Sequence, residues 1–165
     1  GIVEKGGGHK MAGGFTIKKK NISLFRDFLI KNFKKSQLGS SKVANLYLDS
    51  VIAPSALNEK FYDEIEYLAP FGSGNNEPKF AIEDLKVIAS NFVGYNHIKS
   101  VLCGKDGSVI KTIAFNAKNS LLEPFLDKKN KKKFNIAGKM NLNDWKGNRS
   151  IEFIIEDISL KNLLH

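Results

Sequence analysis

The 165-residue sequence contains one cysteine, Cys103, which excludes an internal disulfide framework and a cysteine-based zinc site. No apolar run approaches the roughly 18 residues that a membrane-spanning helix needs, and no secretory signal opens the chain. These absences favour a cytoplasmic protein without a membrane partner. Because the first residue is Gly1 and not Met, we expect the sequence to be a piece of a longer chain.

Patterns for metal or phosphate chemistry are also missing. The histidines at positions 9, 97 and 165 have no second histidine or carboxylate at metal-ligand spacing. The glycine-rich segment 6–14 lacks the Lys-Ser/Thr ending that a P-loop requires. The sequence therefore predicts no metal site and no self-sufficient active site in this chain.

Arginine is scarce, since only Arg26 and Arg149 are arginines among the 26 basic residues. The formal charge of +9 points to a polyanionic partner. Lysine suits phosphate backbones, whereas base reading in duplex DNA favours the arginine fork. After Pro78 there are 15 basic and 9 acidic residues, so most of the excess lies there. It includes five lysines within 128–133, for which a solvated loop and a phosphate-binding loop are equally good interpretations.

The first part of the chain mixes helix and strand signals. Apolar spacing predicts an amphipathic helix over 22–33, and 45–52 is typical of a strand. A second helix is predicted to begin with Ser55 as its N-cap. The residues predicted for its buried stripe are Leu57, Phe61, Ile65 and Leu68. Residues 71–79, rich in Pro, Gly and Asn, indicate a linker.

After this linker the pattern becomes β-like. Five such runs, separated by turn signals, lie at 80–93, 97–103, 109–115, 133–142 and 150–160. A short helical patch at 121–126 lies between the third and fourth runs. Five strands with a helix in this place predict an OB-fold barrel.

OB barrels bind single strands with one face and with the loops joining strands 1–2 and 4–5. Here each predicted loop, 94–97 and 143–149, holds an aromatic residue that can stack on a base, with a cation close behind it. The residues predicted to contact DNA are Tyr95, His97, Lys99, Trp145, Lys146 and Arg149. Two alternatives stay open: Trp145 could pack against its own barrel, and His97 could be an ordinary polar strand residue.

Three segments resemble the RecJ family of bacterial single-strand-specific exonucleases. Residues 6–15 resemble the G-G-G-H-x-x-A-A-G-F signature of the DHH-associated domain in DHH-type phosphoesterases, except that Gly13 stands where Ala is usual. Residues 68–80 resemble the L-x-P-F-G-x-G-N-x-x-P-x-F linker of RecJ, and 143–158 are similar to the end of its OB-fold. The first motif indicates only the superfamily; the other two make the resemblance specific to RecJ.

The resemblance implies an α+β chain with three parts: a partial α/β DHH-associated domain (1–70), the linker (71–79) and a five-stranded OB-fold barrel (80–160). The intact protein would be a metal-dependent 5′→3′ exonuclease acting on single-stranded DNA in recombination and repair. Its Mn²⁺ or Mg²⁺ would be held by an N-terminal DHH domain that is absent here, so this piece alone would be inactive.

The resemblance also implies site residues and partners. His9, with Gly7, Gly8 and Lys10, would contact the scissile or terminal phosphate and form one wall of the catalytic cleft. The partners would be single-stranded DNA, the DHH domain of the same protein and a single-stranded-DNA-binding protein. The alternatives are a stand-alone OB-fold module and, ranked last, a hydrolase of short oligonucleotides, which would have no reason to carry the OB half.

Overall fold

A computed structural model describes residues 1–9, 12–37, 45–145 and 148–160. The chain forms two units, Gly1–Asn45 and Leu46–His165. The elements in chain order are β1 (Lys5–His9), β2 (Ala12–Thr16), α1 (Ile22–Gln37), β3 (Ser50–Val51), α2 (Glu59–Glu66), β4 (Phe80–Val93), β5 (His97–Cys103), β6 (Val109–Ala114), α3 (Glu123–Leu126), β7 (Phe134–Trp145) and β8 (Asn148–Ser159). Single turns of 3-10 helix precede α1 and α2.

The first unit is a glycine-rich hairpin followed by a helix. Strands β1 and β2 pair antiparallel, with Lys5 opposite Thr16 and His9 opposite Ala12. The helix predicted over 22–33 is confirmed as α1 and extends to Gln37. Phe15 of β2 packs on Phe25 of α1, with ring centroids 4.6 Å apart. Several apolar side chains of α1 stay about half exposed, because a unit of this size offers few partners: Ile22, Leu24, Phe28, Leu29 and Phe33.

The second unit is a closed five-stranded barrel. Its strands are ordered β4-β5-β6-β8-β7, and β7 returns to pair with β4. The β6–β8 pairing is parallel and the other barrel pairings are antiparallel. With α3 between the third and fourth strands, this is OB-fold topology, and the predicted α+β class and OB-fold are confirmed. All five predicted runs become strands, and burial alternates regularly along β5.

Closure depends on a bend in β4. Its first half, from Phe80 to Leu85, pairs with β7, and its second half, from Lys86, pairs with β5. At a register shift near the end of the first half, Asp84 adopts φ 59° and its N–H donates to the Asn135 side-chain oxygen at 3.0 Å. The irregularity lets one strand serve two neighbours, as barrels with few strands require.

The barrel interior is mainly apolar and includes one buried hydroxyl pair. Fully buried side chains include Ile82, Leu85, Leu102, Leu126, Phe134, Ile136 and Phe153. On β5, Ile98, Ser100 and Leu102 point inward and alternate with partly exposed residues. The hydroxyl oxygens of Ser100 and Thr112 lie 2.6 Å apart, and Thr112 Oγ1 also donates to the Ser100 carbonyl. Both polar groups are therefore satisfied within the core.

Residues 46–66 contribute to the barrel unit. The strand predicted over 45–52 is only Ser50–Val51, which pairs parallel with the start of β4. The prediction that Ser55 caps the second helix was wrong: Asn58 caps α2, accepting from the Phe61 N–H at 3.0 Å. Of the predicted buried stripe, Ile65 is buried and Leu57 and Phe61 pack against the core, whereas Leu68 is 58% exposed.

Residues 71–79 are also fixed to the barrel. The Lys79 N–H donates to Asp49 Oδ2 at 2.8 Å, and its ammonium lies 2.5 Å from the Glu156 carboxylate of β8. Glu77 pairs with Lys139 of β7. Thus residues 46–79, assigned from sequence to the first domain and a linker, here share a unit with the barrel. None of the described helices is long and apolar enough to cross a membrane.

Gly138 offers a test of barrel packing. It lies at a register shift in β7, where a Cβ would overlap the Ile154 carbonyl oxygen of β8. We expect Gly138→Ala to lower the free energy of unfolding by about 1–3 kcal/mol in urea denaturation, because the two strands would have to separate. Gly72→Ala is the matched control, since no heavy atom lies within 4 Å of its Cβ position. Equal stability of both variants would contradict this packing.

Candidate nucleic-acid interface

A groove lies on the outer surface of the barrel. The strand face β4–β5–β6 and the β7–β8 hairpin enclose about 250 Å³. Its polar lining includes Asn91, Lys99, Lys111, Asn143, Ser150 and Glu152. Side chains on the outer face of β5 alternate with the buried ones, so Lys99 and Val101 face out. The register places Asn91 beside Lys99, and Lys111 beside Val101. The groove is therefore a product of strand pairing.

The two groove lysines differ in their electrostatic environment. The Lys99 ammonium lies 2.9 Å from Glu152 Oε1, and Glu152 is only 8% exposed. Lys111 is exposed and forms no ion pair with any residue that the structure describes. One lysine is thus neutralised by a nearly buried carboxylate, and the other is available to an anion.

Aromatic side chains are exposed at one end of the same strand face. Tyr95 lies in the β4–β5 turn and is 94% exposed, and Gly94 before it has φ 60°. The His97 ring packs edge-on against Phe115, with centroids 5.1 Å apart, and Phe115 is 51% exposed. His97 Nδ1 accepts the Asn116 N–H at 3.0 Å, which fixes the imidazole orientation. The predicted residues Tyr95, His97 and Lys99 therefore share one face with Phe115.

The β7–β8 connection is shorter than the predicted loop 143–149. Strand pairing continues to Trp145 opposite Asn148, so only positions 146 and 147 connect the strands. Of the predicted DNA contacts there, Lys146 and the Trp145 side chain lie outside the described part of the chain. Arg149 is in β8, and its guanidinium lies 3.2 Å from Asp63 and 3.8 Å from Glu59 of α2. This ion pair links the hairpin to α2, a contact that sequence spacing did not indicate.

The glycine-histidine segment of the first unit forms β1 and β2. Gly8 has no room for a side chain, because a Cβ would lie 2.5 Å from the Ala12 carbonyl oxygen. At Gly7 no described heavy atom lies within 4 Å of the Cβ position, so cross-strand packing does not require a glycine there. A Cβ at Gly13 would lie 3.8 Å from the Gly7 carbonyl oxygen, an ordinary contact. His9 is exposed on β1, and the predicted Lys10 lies outside the described residues.

The part of the chain that is described contains no group of three or more His, Cys, Asp or Glu that could hold a metal ion.

The two shifted pKa values belong to side chains that do not line the groove. Burial, followed by the Glu66 contact, raises the pKa of Tyr62, and the Ser108 N–H lowers the pKa of Asp106. The described residues thus offer binding groups in the groove.

The sequence matches the family described as RecJ OB domain over residues 48–157. The chain belongs to this family. The match covers the barrel and also β3, α2 and the segment joining them to β4, which agrees with the observed second unit. The resemblance found in the sequence motifs is confirmed.

Curated RecJ proteins match almost the whole chain. The single-stranded-DNA-specific exonuclease RecJ of Haemophilus influenzae is 28% identical over 162 residues, covering 95% of this chain and 27% of that protein. The Escherichia coli protein of the same name is 25% identical over 162 residues, covering 96% and 27%. The chain therefore spans about a quarter of the length of the curated relatives it matches.

Solved structures support the fold. RecJ from Thermus thermophilus in complex with Mg²⁺ superposes with a TM-score of 0.59 at 20% identity, covering 98% of this chain and 24% of that one. The complex of the same protein with Mn²⁺ gives a TM-score of 0.59 at 21% identity. At these identities the likeness shows the fold alone.

Four groove and rim residues of this RecJ OB domain were not predicted from sequence: Asn91, Lys111, Phe115 and Glu152. Lys111 lies between the buried Ile110 and Thr112. Its outward position could therefore have been predicted, because successive side chains of a strand point to opposite faces. Glu152 and Lys99 are 53 positions apart in sequence. Their contact could not have been predicted, because it depends on which strands are neighbours.

The Lys99–Glu152 pair makes a stability prediction. We expect Lys99→Met to lower the free energy of unfolding by about 1–3 kcal/mol, because it leaves the nearly buried Glu152 carboxylate without its partner. Lys111→Met, the matched control on the next strand, should stay within about 0.5 kcal/mol. Urea denaturation of both variants measures the difference. If the two losses are equal, Glu152 does not depend on Lys99.

Proposed function

We propose that the groove of this RecJ OB domain binds single-stranded DNA. The observation that carries the proposal is the composition of the groove. It contains one lysine without an ion pair among the described residues, Lys111, and one ion-paired lysine, Lys99. The exposed rings of Tyr95 and Phe115 lie at one end of the same strand face. Lysines suit the phosphate backbone, and aromatic rings stack on unpaired bases without regard to sequence. A single strand exposes its phosphates and its base faces together, whereas in a duplex the base faces are stacked and inaccessible.

Each side chain has a proposed role. Lys111 contacts a phosphate directly, and Lys99 does so in competition with Glu152. Tyr95 and Phe115 stack on bases, and His97 holds the Phe115 ring. From the hairpin, Trp145, Lys146 and Arg149 complete the contact. Lys111 and Phe115 thus join the predicted set of Tyr95, His97, Lys99, Trp145, Lys146 and Arg149.

We further propose that the intact protein is a 5′→3′ single-strand-specific exonuclease of DNA recombination and repair in the cytoplasm. The matched relatives are named as exonucleases, which supports the nuclease assignment. Each relative is about four times as long as the matched segment. The metal, Mn²⁺ or Mg²⁺, would be bound by an N-terminal DHH domain. This piece alone would then bind DNA without cleaving it. A single-stranded-DNA-binding protein is the proposed protein partner.

The hairpin β1–β2 is proposed as one wall of the catalytic cleft. Gly8 is explained by the close approach of β2, but Gly7 is not explained by any contact among the described residues. A glycine that packing does not require fits a backbone that a phosphate approaches closely. In this proposal the backbone at Gly7 and Gly8, with His9 and Lys10, contacts the terminal or scissile phosphate.

Tyr95 gives the direct test of binding. We expect Tyr95→Ala to weaken single-strand binding about 5- to 150-fold at constant salt, the usual range for losing one base stack. The slope of log K against log salt should not change, because no phosphate contact is lost. Fluorescence anisotropy with a labelled single strand measures both quantities.

The control for that experiment is Tyr67→Ala, since Tyr67 follows α2 and is 87% exposed. It should bind like the parent chain, and neither substitution should lower stability. Parent-like affinity of both variants would contradict the stacking role of Tyr95.

Gly7 tests the cleft wall in the full-length protein. We expect Gly7→Ala to lower kcat on single-stranded DNA at least about tenfold, because the added methyl group would hold the phosphate away from the backbone and misplace it. Gly13→Ala, which fits sterically, should keep parental activity. The 165-residue chain carrying Gly7→Ala should still bind single strands normally. Unchanged kcat for Gly7→Ala would remove this residue from the cleft.

A further inference from the structure

The loop between α3 and β7 (residues 127–133, the lysine loop) is ordered although it is rich in charge. Asp127 Oδ1 accepts the Lys129 N–H at 2.7 Å, and Asn130 Oδ1 accepts the Lys132 N–H at 3.0 Å. The Asn130 side-chain amide also donates to the Phe125 carbonyl at 2.8 Å. These turns fix the backbone without using any lysine side chain.

Five lysines project from this loop, at positions 128, 129, 131, 132 and 133, and all are exposed. Within the described residues none of them forms an ion pair. Three other lysines of the barrel unit are paired: Lys79 with Glu156, Lys99 with Glu152, and Lys139 with Glu77. The loop is thus a concentrated, uncompensated positive charge on a fixed backbone, which is what a polyanion site requires.

The loop adjoins the DNA groove through the second half of β4. A smaller cavity of about 140 Å³ is lined by Phe92, Leu126, Asp127 and Lys128, among others. Asn91 lines both this cavity and the groove. From Lys86 to Val93 the described part of β4 pairs only with β5, so its other edge is open at this point. The two surfaces are therefore continuous around a strand edge.

Phe92 lies between them and is available for stacking. It is 58% exposed, and the Lys118 ammonium lies 5.7 Å from its ring centroid. The acidic residues of the cavity are engaged elsewhere, since Asp127 caps the Lys129 turn and Glu123 accepts the Asn119 N–H. An aromatic ring with a cation beside it, next to a row of lysines, repeats the chemistry of the groove.

We propose that the lysine loop and Phe92 form a second section of the single-strand site. A strand leaving the groove passes Asn91, stacks a base on Phe92 and places the following phosphates against the loop lysines. The inference rests on the proposed function of the groove, and it predicts that the loop acts only on strands long enough to reach beyond Asn91.

Strand length is therefore the variable of the experiment. The 165-residue chain is titrated with oligonucleotides of about 5 and about 16 nucleotides, the span of site sizes known for OB-folds. We expect Lys128→Gln, Lys131→Gln and Lys133→Gln together to weaken binding of the 16-mer about 100-fold at 0.1 M salt, and the salt slope to become shallower by about 2, since each lost contact removes roughly 0.7. The 5-mer should bind the variant like the parent.

The matched control replaces three exposed lysines of the first unit, Lys19, Lys20 and Lys31, with Gln and changes the net charge equally. Phe92→Leu should weaken the 16-mer about 5- to 150-fold and leave the 5-mer unchanged. If the loop and control triples weaken both strands alike, the effect is net charge and the proposal is overturned. It is also overturned if the 16-mer is insensitive to the loop. Failure of the parent to bind the 5-mer would instead contradict the groove.

Discussion

The barrel depends on the double pairing of β4. One strand must serve β7 with its first half and β5 with its second, and it does so through the bend at Asp84, which the buried Asn135 side chain holds. Because of this bend, the second half of β4 lies beside β5 with its other edge open. The groove, the exposed aromatic end and the cavity beside the lysine loop all use that half-strand. The closure of the barrel and the shape of its candidate interface are thus one structural feature.

Charge is distributed unevenly over this frame. The ion pairs of the barrel unit lie mostly at its periphery. Lys79 and Lys139 connect residues 71–79 to the barrel, and Arg149 connects β8 to α2. Within the groove Lys99 is compensated by Glu152, whereas Lys111 and the loop lysines are not. Exposed pairs contribute little stability, so the uncompensated lysines are no great structural cost. Their excess is available for binding, and Glu152 limits the charge at the centre of the groove.

Much of the fold was predictable because β-like runs are separated by turn signals along the chain after residue 79. The five barrel strands, the short helix α3 and the OB topology followed from period and turn signals. The predictions that failed required knowledge of tertiary neighbours. Ser55 and Asn58 are both good N-cap residues, and Asn58 caps α2 in the structure, where Leu57 and Phe61 pack against the core. The linker composition gave no hint that Glu77 and Lys79 bind the barrel. Tyr95, His97 and Lys99 were found because they are close in sequence, whereas Lys111 and Glu152 join them only through strand pairing.

The account claims that this domain recognises single strands by stacking as well as by charge. The most direct measurement is the affinity of the 165-residue chain for one labelled sequence, as single strand and as duplex, at about 0.05 and 0.2 M salt. Charge-driven binding fades as salt rises, but stacking persists. We predict that the single strand binds more tightly than the duplex and that the ratio of affinities grows at the higher salt. Equal affinities at both salt concentrations would contradict the account and leave only unspecific attraction to a polyanion.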